Sequence, residues 1–286
     1  MKPPELARPN SIAEACRLLD ESHGEAKLIA GGTAVVLMMR QGLIFPTLLV
    51  SLQRVEDLAS IEVADGHVQI GGRATLHDVA ASDIVRKHAP SLARACEVVG
   101  NVRVRNAATL AGNLAEADYA SDPPSVLACL GAKCVAQGLD GSRSIPIADL
   151  ITGFYSTDLS HAEVITEVHV PIADPEEVTT YLKYVSRSSE DRPCVGVAAS
   201  AIIRDDTVEE LHVVVGAVGP GPAGRPEVCS TATGRALDDG TIRTVAEGYA
   251  DSIDPMEDAR GSSWYRREMI RVFVTRALEA LRSTDD

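Results

Sequence analysis

The sequence predicts an α+β fold. A two-lobed domain over residues 1–173, split near residue 57, is followed by a C-terminal domain over residues 174–286 with a three-stranded antiparallel sheet and helices. Three observations predict it. A strand, a glycine turn and a helix come early in the chain; hairpin-like alternation takes over from Leu58; and beyond residue 178 three β-rich runs follow one another before two closing helices.

The elements follow in order. Ser11 and Glu14 have capping-box spacing, and Ile12, Ala15, Cys16 and Leu19 then share one helical face until His23-Gly24 stops it. Lys27 to Ala30 reads as a strand that breaks at Gly31-Gly32-Thr33, and Ala34 to Arg40 as an apolar helix ending at Gly42. Pro46 to Ser51 returns as a strand. The run IEVADGHVQIGG holds Asp65-Gly66 between two alternating segments, a strong hairpin signal. Helices are expected at Thr75 to Ala81, where Thr75 and Asp78 suit a cap, and at Pro90 to Val99, where Gly100 provides the stop. The polar, glycine-bearing stretch from Asn101 to Pro124 reads as a loop, and loops of such length in a compact domain are usually functional. Pro124 to Leu130 resumes as a helix, KCVAQ with GLDGSRS reads as a hairpin, Glu163 to Val170 as a strand ended by Pro171, and Ala173 to Val178 as a linker. TTYLKYVS, CVGVAASAII and VEELHVVVGAV have the pattern of a meander, and Ile270, Phe273, Ala277 and Leu281 recur at helical spacing in the last helix, capped by Ser262 or Ser263.

Composition narrows the function classes. With 286 residues and 45% hydrophobic content the chain can bury a large core, and no apolar run approaches the ~18 residues of a membrane-spanning helix. The start, MKPPELARPN, lacks the apolar stretch of a secretory signal, so a cytoplasmic location is expected. A net charge of −14 opposes nucleic-acid binding. The six cysteines are scattered without a C-x-x-C pair and read as reduced, mostly buried thiols, with no compact set to hold an iron–sulfur cluster. Metal-ligand spacing is absent, and no residue is assigned a catalytic role.

Two glycine-bearing segments carry the chemistry. A glycine turn between strand and helix leaves backbone N–H groups unpaired and lets a ligand approach without a side chain in the way, which favours an anion. Gly31, Gly32 and Thr33 form one such turn; Thr109, Gly112 and Asn113 repeat the types in the other half of the two-lobed domain. Each alone reads more readily as a ligand-free turn. Together they suit a ligand with two phosphates lying between the lobes, a dinucleotide, although neither has the G-x-G-x-x-G spacing of a Rossmann site.

The segments IAGGTAVVLMMRQG, NVRVRNAATLAGNLAEADYASDPPSVL, AEVITEVHVP, VVVGAVGPGPAG and SSWYRREMIRVFVTRAL, in this order from about Ile29 to Leu278, resemble the FAD-binding medium subunits of molybdenum hydroxylases, the carbon monoxide dehydrogenase and xanthine dehydrogenase type. The resemblance implies a PCMH-like FAD-binding domain and a C-terminal domain like that of the carbon monoxide dehydrogenase flavoprotein. It implies that Ile29, Ala30, Gly31, Gly32, Thr33, Ala34 and Val35 wrap the FAD pyrophosphate, and that Thr109, Gly112 and Asn113 approach it from the other lobe. Asp118 and Asp122 then accept hydrogen bonds from ribityl or ribose hydroxyls, Ile165 packs against the flavin ring, and Lys183 stands near the ring edge. The plainer readings are a helix cap for Asp122, a core aliphatic for Ile165 and a surface lysine for Lys183. Ala107 and Ala111 stand where the family commonly has glycine, and Glu116 where it often has histidine, which leaves the role of Glu116 open.

The resemblance further implies a chain that carries FAD alone. The molybdenum cofactor would sit on a large partner subunit and two [2Fe-2S] clusters on a small one, in a dimer of heterotrimers, with electrons passing from the clusters to the flavin and on to an external acceptor. Substrate and acceptor are not readable from this chain. A self-contained FAD-dependent oxidoreductase and a non-redox nucleotide-binding module are the alternatives; His212, alone in a β run, offers no acid–base cluster for the first.

Overall fold

The Ser11 hydroxyl accepts the Glu14 N–H and starts the first helix, while the Glu14 carboxylate accepts from Asn10 N–H at 2.9 Å, so the expected capping box closes one residue early. The computed structural model describes residues 3–56 and 58–283; the expected split near residue 57 falls on Asp57, outside the described residues. In chain order the first lobe holds β1 (Glu5–Ala7), α1 (Ile12–Glu21), β2 (Ala26–Ile29), α2 (Val35–Gln41) and β3 (Leu48–Ser51). Its sheet runs β1-β3-β2 with both pairings parallel, and α2 is the crossover that a parallel β2–β3 pair requires. Ala15, Cys16 and Leu19 of α1 are buried, as their spacing predicts, and the chain leaves the helix through positive φ at His23 and Gly24.

The second lobe opens with the hairpin β4 (Ile61–Ala64) and β5 (His67–Gly71), whose turn residues Asp65 and Gly66 both have positive φ, the geometry that matches strand twist. Six helices follow: α3 (Leu76–Ala81), α4 (Asp83–His88), α5 (Pro90–Glu97), α6 (Val102–Arg105), α7 (Leu110–Glu116) and α8 (Pro123–Cys129). The hairpin β6 (Lys133–Gly138) and β7 (Gly141–Pro146) leads through α9 (Ile147–Leu150) and the small ribbon β8 (Ile151–Gly153) and β9 (Ser156–Thr157) to β10 (Val164–Pro171). The antiparallel sheet has the order β4-β5-β10-β6-β7, so the last strand enters its middle. The stretch from Asn101 to Pro124 corrects the sequence expectation: it is not a loop but holds α6 and α7, capped by the side chains of Asn101 and Thr109. Helices of four and seven residues are too short to show a periodic pattern, and their polar caps have the same composition as a loop.

The C-terminal sheet comprises β11 (Glu177–Tyr184), β12 (Val195–Arg204), β13 (Thr207–Gly216) and β14 (Ala223–Gly224) in that spatial order. The fourth strand, two residues from the glycine-proline run, extends the three-stranded meander read from sequence. The chain then forms α10 (Pro226–Cys229), α11 (Asp239–Ser252) and α12 (Ser263–Arg282). One sheet face packs on α11 and α12 through Val197, Val213 and Val215 against Ile242, Val245, Ile270 and Leu278. The other face gives Tyr181, Ala198 and Val214 to the core of the second lobe. Both faces are therefore covered, and β12 is buried from Val195 to Ala201 without alternation. Small residues permit the approach: a Cβ on Gly216 would lie 2.0 Å from Ser125 Oγ on α8.

Among the described residues no helix is long and apolar enough to cross a membrane. All six cysteines are free and buried.

Arg266 on α12 is fully buried. It donates to the carbonyls of Cys194 and Ala217 and to Asp258, joining the starts and ends of three segments at one guanidinium. Burial works against ionisation of Asp258, but the Arg260 amide and the guanidiniums of Arg266 and Arg260 outweigh it and hold the carboxyl below its usual range. Removing one member of such a buried group strands the others. Arg266→Ala is expected to lower unfolding free energy by about 3–5 kcal/mol, measured as the shift in urea midpoint, and a midpoint equal to wild type contradicts this account.

Candidate cofactor site

The segment Ala30 to Ala34 joins β2 to α2. Gly32 has φ +72, a conformation that costs a side-chain-bearing residue strain. The backbone N–H groups of Gly31, Gly32, Thr33 and Ala34 find no acceptor among the described residues, and the Thr33 side chain is exposed. The run therefore presents a row of open donors beside the start of a helix. That helix, α2, buries none of its residues, and Val36 and Leu37 stay about half exposed.

The second segment meets the first directly. A Cβ on Gly31 would lie 1.7 Å from the Ala107 carbonyl oxygen, so the lobes touch where each carries its glycine-bearing run. Ala107 leads into Thr109, whose hydroxyl accepts the Gly112 N–H at 3.0 Å and keeps its own proton free to donate. The short bridge Leu76 N–H to Ala108 O and Leu110 N–H to Ala74 O fixes Thr109 beside Thr75. Gly112 and Asn113 are a correction to the turn read from sequence: they form the first turn of α7, where Gly112 has an ordinary helical place and its lack of a side chain keeps the turn exposed. Asn113 Oδ1 accepts from the Ser121 hydroxyl at 2.8 Å, which leaves its NH2 open. Ala111 is buried in the lobe core, so the methyl that replaces glycine there points inward.

At the far end of α7 lies a polar junction of all three layers. Asp118 accepts from Ala120 N–H at 3.1 Å, is ion-paired with Arg192 at 2.7 Å, and takes the Tyr155 hydroxyl at 3.5 Å. Ala117 and Tyr155, both with positive φ, are joined by Tyr155 N–H to Ala117 O. Glu116 is pushed above the usual carboxylate range by burial and by Asp118, with Lys27 of the first lobe and Arg192 of the C-terminal domain pulling it down. Beyond Asp118, Tyr119 of the second lobe closes a cavity of about 470 Å³ whose other walls come from the C-terminal domain, with Arg187, Arg192 and Arg260 set among Glu190, Asp191 and Asp258. Sequence reading misses Arg192, Tyr155 and Arg260, since single loop residues carry no periodic signal.

Asp122 and Lys183 come together. Asp122 stands before α8 but makes no cap hydrogen bond; it is 2% exposed, with Oδ1 accepting from the Tyr181 hydroxyl at 2.6 Å and Oδ2 from Lys183 Nζ at 3.0 Å. Lys183 also donates to the Val98 carbonyl at 2.9 Å and is largely buried, so it is not the surface lysine of the plainer reading. The Ile165 side chain lies in the second-lobe core beside a β-bulge in β10. His212 is exposed on β13.

Known proteins share this fold. Residues 2–173 match the family described as the FAD-binding domain in molybdopterin dehydrogenase, and residues 180–281 match the carbon monoxide dehydrogenase flavoprotein C-terminal domain. The glyceraldehyde dehydrogenase medium chain of Sulfolobus acidocaldarius is 31% identical over 98% of this chain and 99% of its own. The carbon monoxide dehydrogenase medium chain of Hydrogenophaga pseudoflava is 30% identical over 98% of each. The solved carbon monoxide dehydrogenase from H. pseudoflava that lacks the Mo-pyranopterin moiety superposes with a TM-score of 0.95 at 29% identity, covering 99% of both chains.

Burial pushes the Asp122 carboxyl up to about 6, with the Lys183 charge and the Tyr181 hydroxyl pulling the other way. The folded state then holds that proton more tightly than the unfolded chain, whose aspartate titrates near 3.8. Between those values the site's contribution to stability rises as pH falls and is lost as pH rises. The stability of wild type relative to Asp122→Asn is therefore expected to increase on acidification from pH 7.5 to 4.5, measured by urea unfolding at each pH; a difference that is flat or falls contradicts the burial argument.

Proposed function

The chain belongs to the family of FAD-binding subunits of molybdenum-containing dehydrogenases, and from that premise we propose that it holds one FAD between its two lobes and serves as the electron-exit subunit of a complex. The observation that carries this reading is the contact of Gly31 with Ala107, which sets two donor-bearing segments side by side.

The residues fit a dinucleotide. Open N–H groups of Gly31, Gly32, Thr33 and Ala34, with Ile29, Ala30 and Val35 as the flanking backbone, would hold one side of a pyrophosphate, and the Thr109 hydroxyl and the Asn113 amide would hold the other across the side-chain-free surface at Gly112. These groups are donors, in a protein of net charge −14 whose surface otherwise repels phosphate. Asp118, kept oriented by Arg192, would accept from a sugar or ribityl hydroxyl further along the groove. The Ile165 side chain would support the ring from within the core.

FAD, when bound, supplies the redox chemistry: it accepts electrons that originate at a molybdenum centre and releases them to an external acceptor. This chain's residues bind, orient and cover it. The partners are a large subunit with the molybdenum cofactor and a small subunit with [2Fe-2S] clusters, assembled as a dimer of heterotrimers in the cytoplasm. The medium-chain names of the relatives support this, as does the bare apolar face of α2, which a partner could cover.

The complex purified through this chain is expected to carry one FAD per copy and to lose its flavin absorbance on anaerobic addition of its reducing substrate. A colourless complex that takes up no FAD overturns the reading. Gly31→Ala places a methyl against Ala107 O and is expected to raise the dissociation constant for FAD roughly tenfold, a cost of about 1.4 kcal/mol, with the far-ultraviolet circular dichroism unchanged. A wild-type dissociation constant in that variant removes the inter-lobe contact from the site.

A further inference from the structure

A buried ion pair is weak evidence for stability, since two charges leave water and well-packed apolar groups of the same size do as well or better. The pair Asp122–Lys183 is such a case. Its carboxylate and ammonium lie where the second lobe packs on the C-terminal sheet, and every bond it makes runs between elements of different domains: α8 to β11 through Asp122, and β11 to the end of α5 through Val98.

The Val98 carbonyl has a particular place in the chain. It begins the segment that ends at Thr109. Arg105 folds back within that segment to donate to the carbonyls of Val99 and Gly100 at 3.1 and 2.9 Å, which makes it one closed unit. At its far end the same segment presents Ala107 O to Gly31 and the Thr109 hydroxyl to Gly112. The C-terminal domain touches it by a second link, Asn101 to Glu190 at 3.4 Å, but that contact is exposed and contributes little. Lys183 is the buried one.

We propose that Asp122 is a positioning residue: with Tyr181 it fixes the Lys183 ammonium, and Lys183 holds the Val98–Thr109 segment against the first lobe, so that the C-terminal domain sets the geometry of the FAD site. This rests on the FAD reading above and departs from direct hydrogen bonding of Asp122 to the cofactor. Both oxygens of Asp122 already have partners within 3.0 Å, and the residue is all but inaccessible. A free hydroxyl of a ligand has no open route to it.

The test is a double-mutant cycle on the assembled complex, read as the dissociation constant for FAD after flavin removal and re-addition. The visible circular dichroism of the bound flavin reports its orientation in each variant. Asp122→Asn and Lys183→Met are each expected to weaken FAD retention about tenfold, the coupling usual within one hydrogen-bond network, and the double variant to be no weaker than the worse single one. Both singles should change the flavin dichroism in the same sense. Additive losses, which a separate contact of Asp122 with FAD would produce, overturn the proposal, and so does unchanged FAD retention in Asp122→Asn. If Asp122→Asn does not assemble, Tyr181→Phe carries the test, since it removes only the hydroxyl on Oδ1: a loss of about two- to threefold is expected, and wild-type retention overturns the proposal. A wild-type complex that takes up no FAD sinks the function itself, whereas a wild-type complex with FAD and additive variants sinks only the positioning role.

Discussion

The arrangement depends on one missing side chain. Gly31 lies so close to the Ala107 carbonyl that any Cβ would overlap it, and through that contact the parallel three-stranded lobe and the antiparallel five-stranded lobe meet. Neither lobe offers a site alone. The first has open backbone donors on an exposed turn; the second has a hydroxyl, an amide and the bare start of a short helix. An anion with two phosphates gains from both only if they converge, because the donors of one short turn are few and compete with water.

A second constraint fixes the convergence from outside. The C-terminal sheet is covered on one face by α11 and α12 and on the other by the second lobe, so it is an internal layer of the molecule and not an appended module. Gly216 against Ser125 lets the layers approach, and Gly196 leaves room on the sheet face for the Tyr181 ring of the neighbouring strand, whose hydroxyl crosses to Asp122. Arg266 then closes the far side, and its partner Asp258 reaches through Arg260 to Tyr119, next to Asp118. Polar links between the layers therefore gather around the segment from Glu116 to Asp122.

Charge is distributed in keeping with this. The chain is strongly acidic, yet the turn at Gly31 to Ala34, where the lobes touch, carries open N–H donors, and Lys27 and Arg192 both act to pull Glu116 down. Acidic residues near it are restrained: Asp118 by Arg192, Asp122 by Lys183 and Tyr181. A phosphate-bearing ligand meets little uncompensated negative charge there, even though the molecule as a whole repels it.

Local chemistry makes many of the elements legible from the order of residues alone. The glycine stop of α2, the Asp65-Gly66 hairpin, the Thr75 cap and the one-sided pattern of α12 are each written in a short consecutive run of residues, and each forms as its pattern predicts. The family, and with it FAD, is legible from ordered motifs spread over nearly the whole chain. The sequence by itself thus determined the elements and the cofactor class, because propensity, capping and turn geometry act over short range. Tertiary structure alone decided the rest. It turned Gly112 and Asn113 into a helical turn, buried Asp122 and Lys183 against each other across 61 residues of chain, and brought Arg192 to Asp118. Such pairings follow from which surfaces pack together, and no local pattern encodes the partner of a charge that lies in another layer.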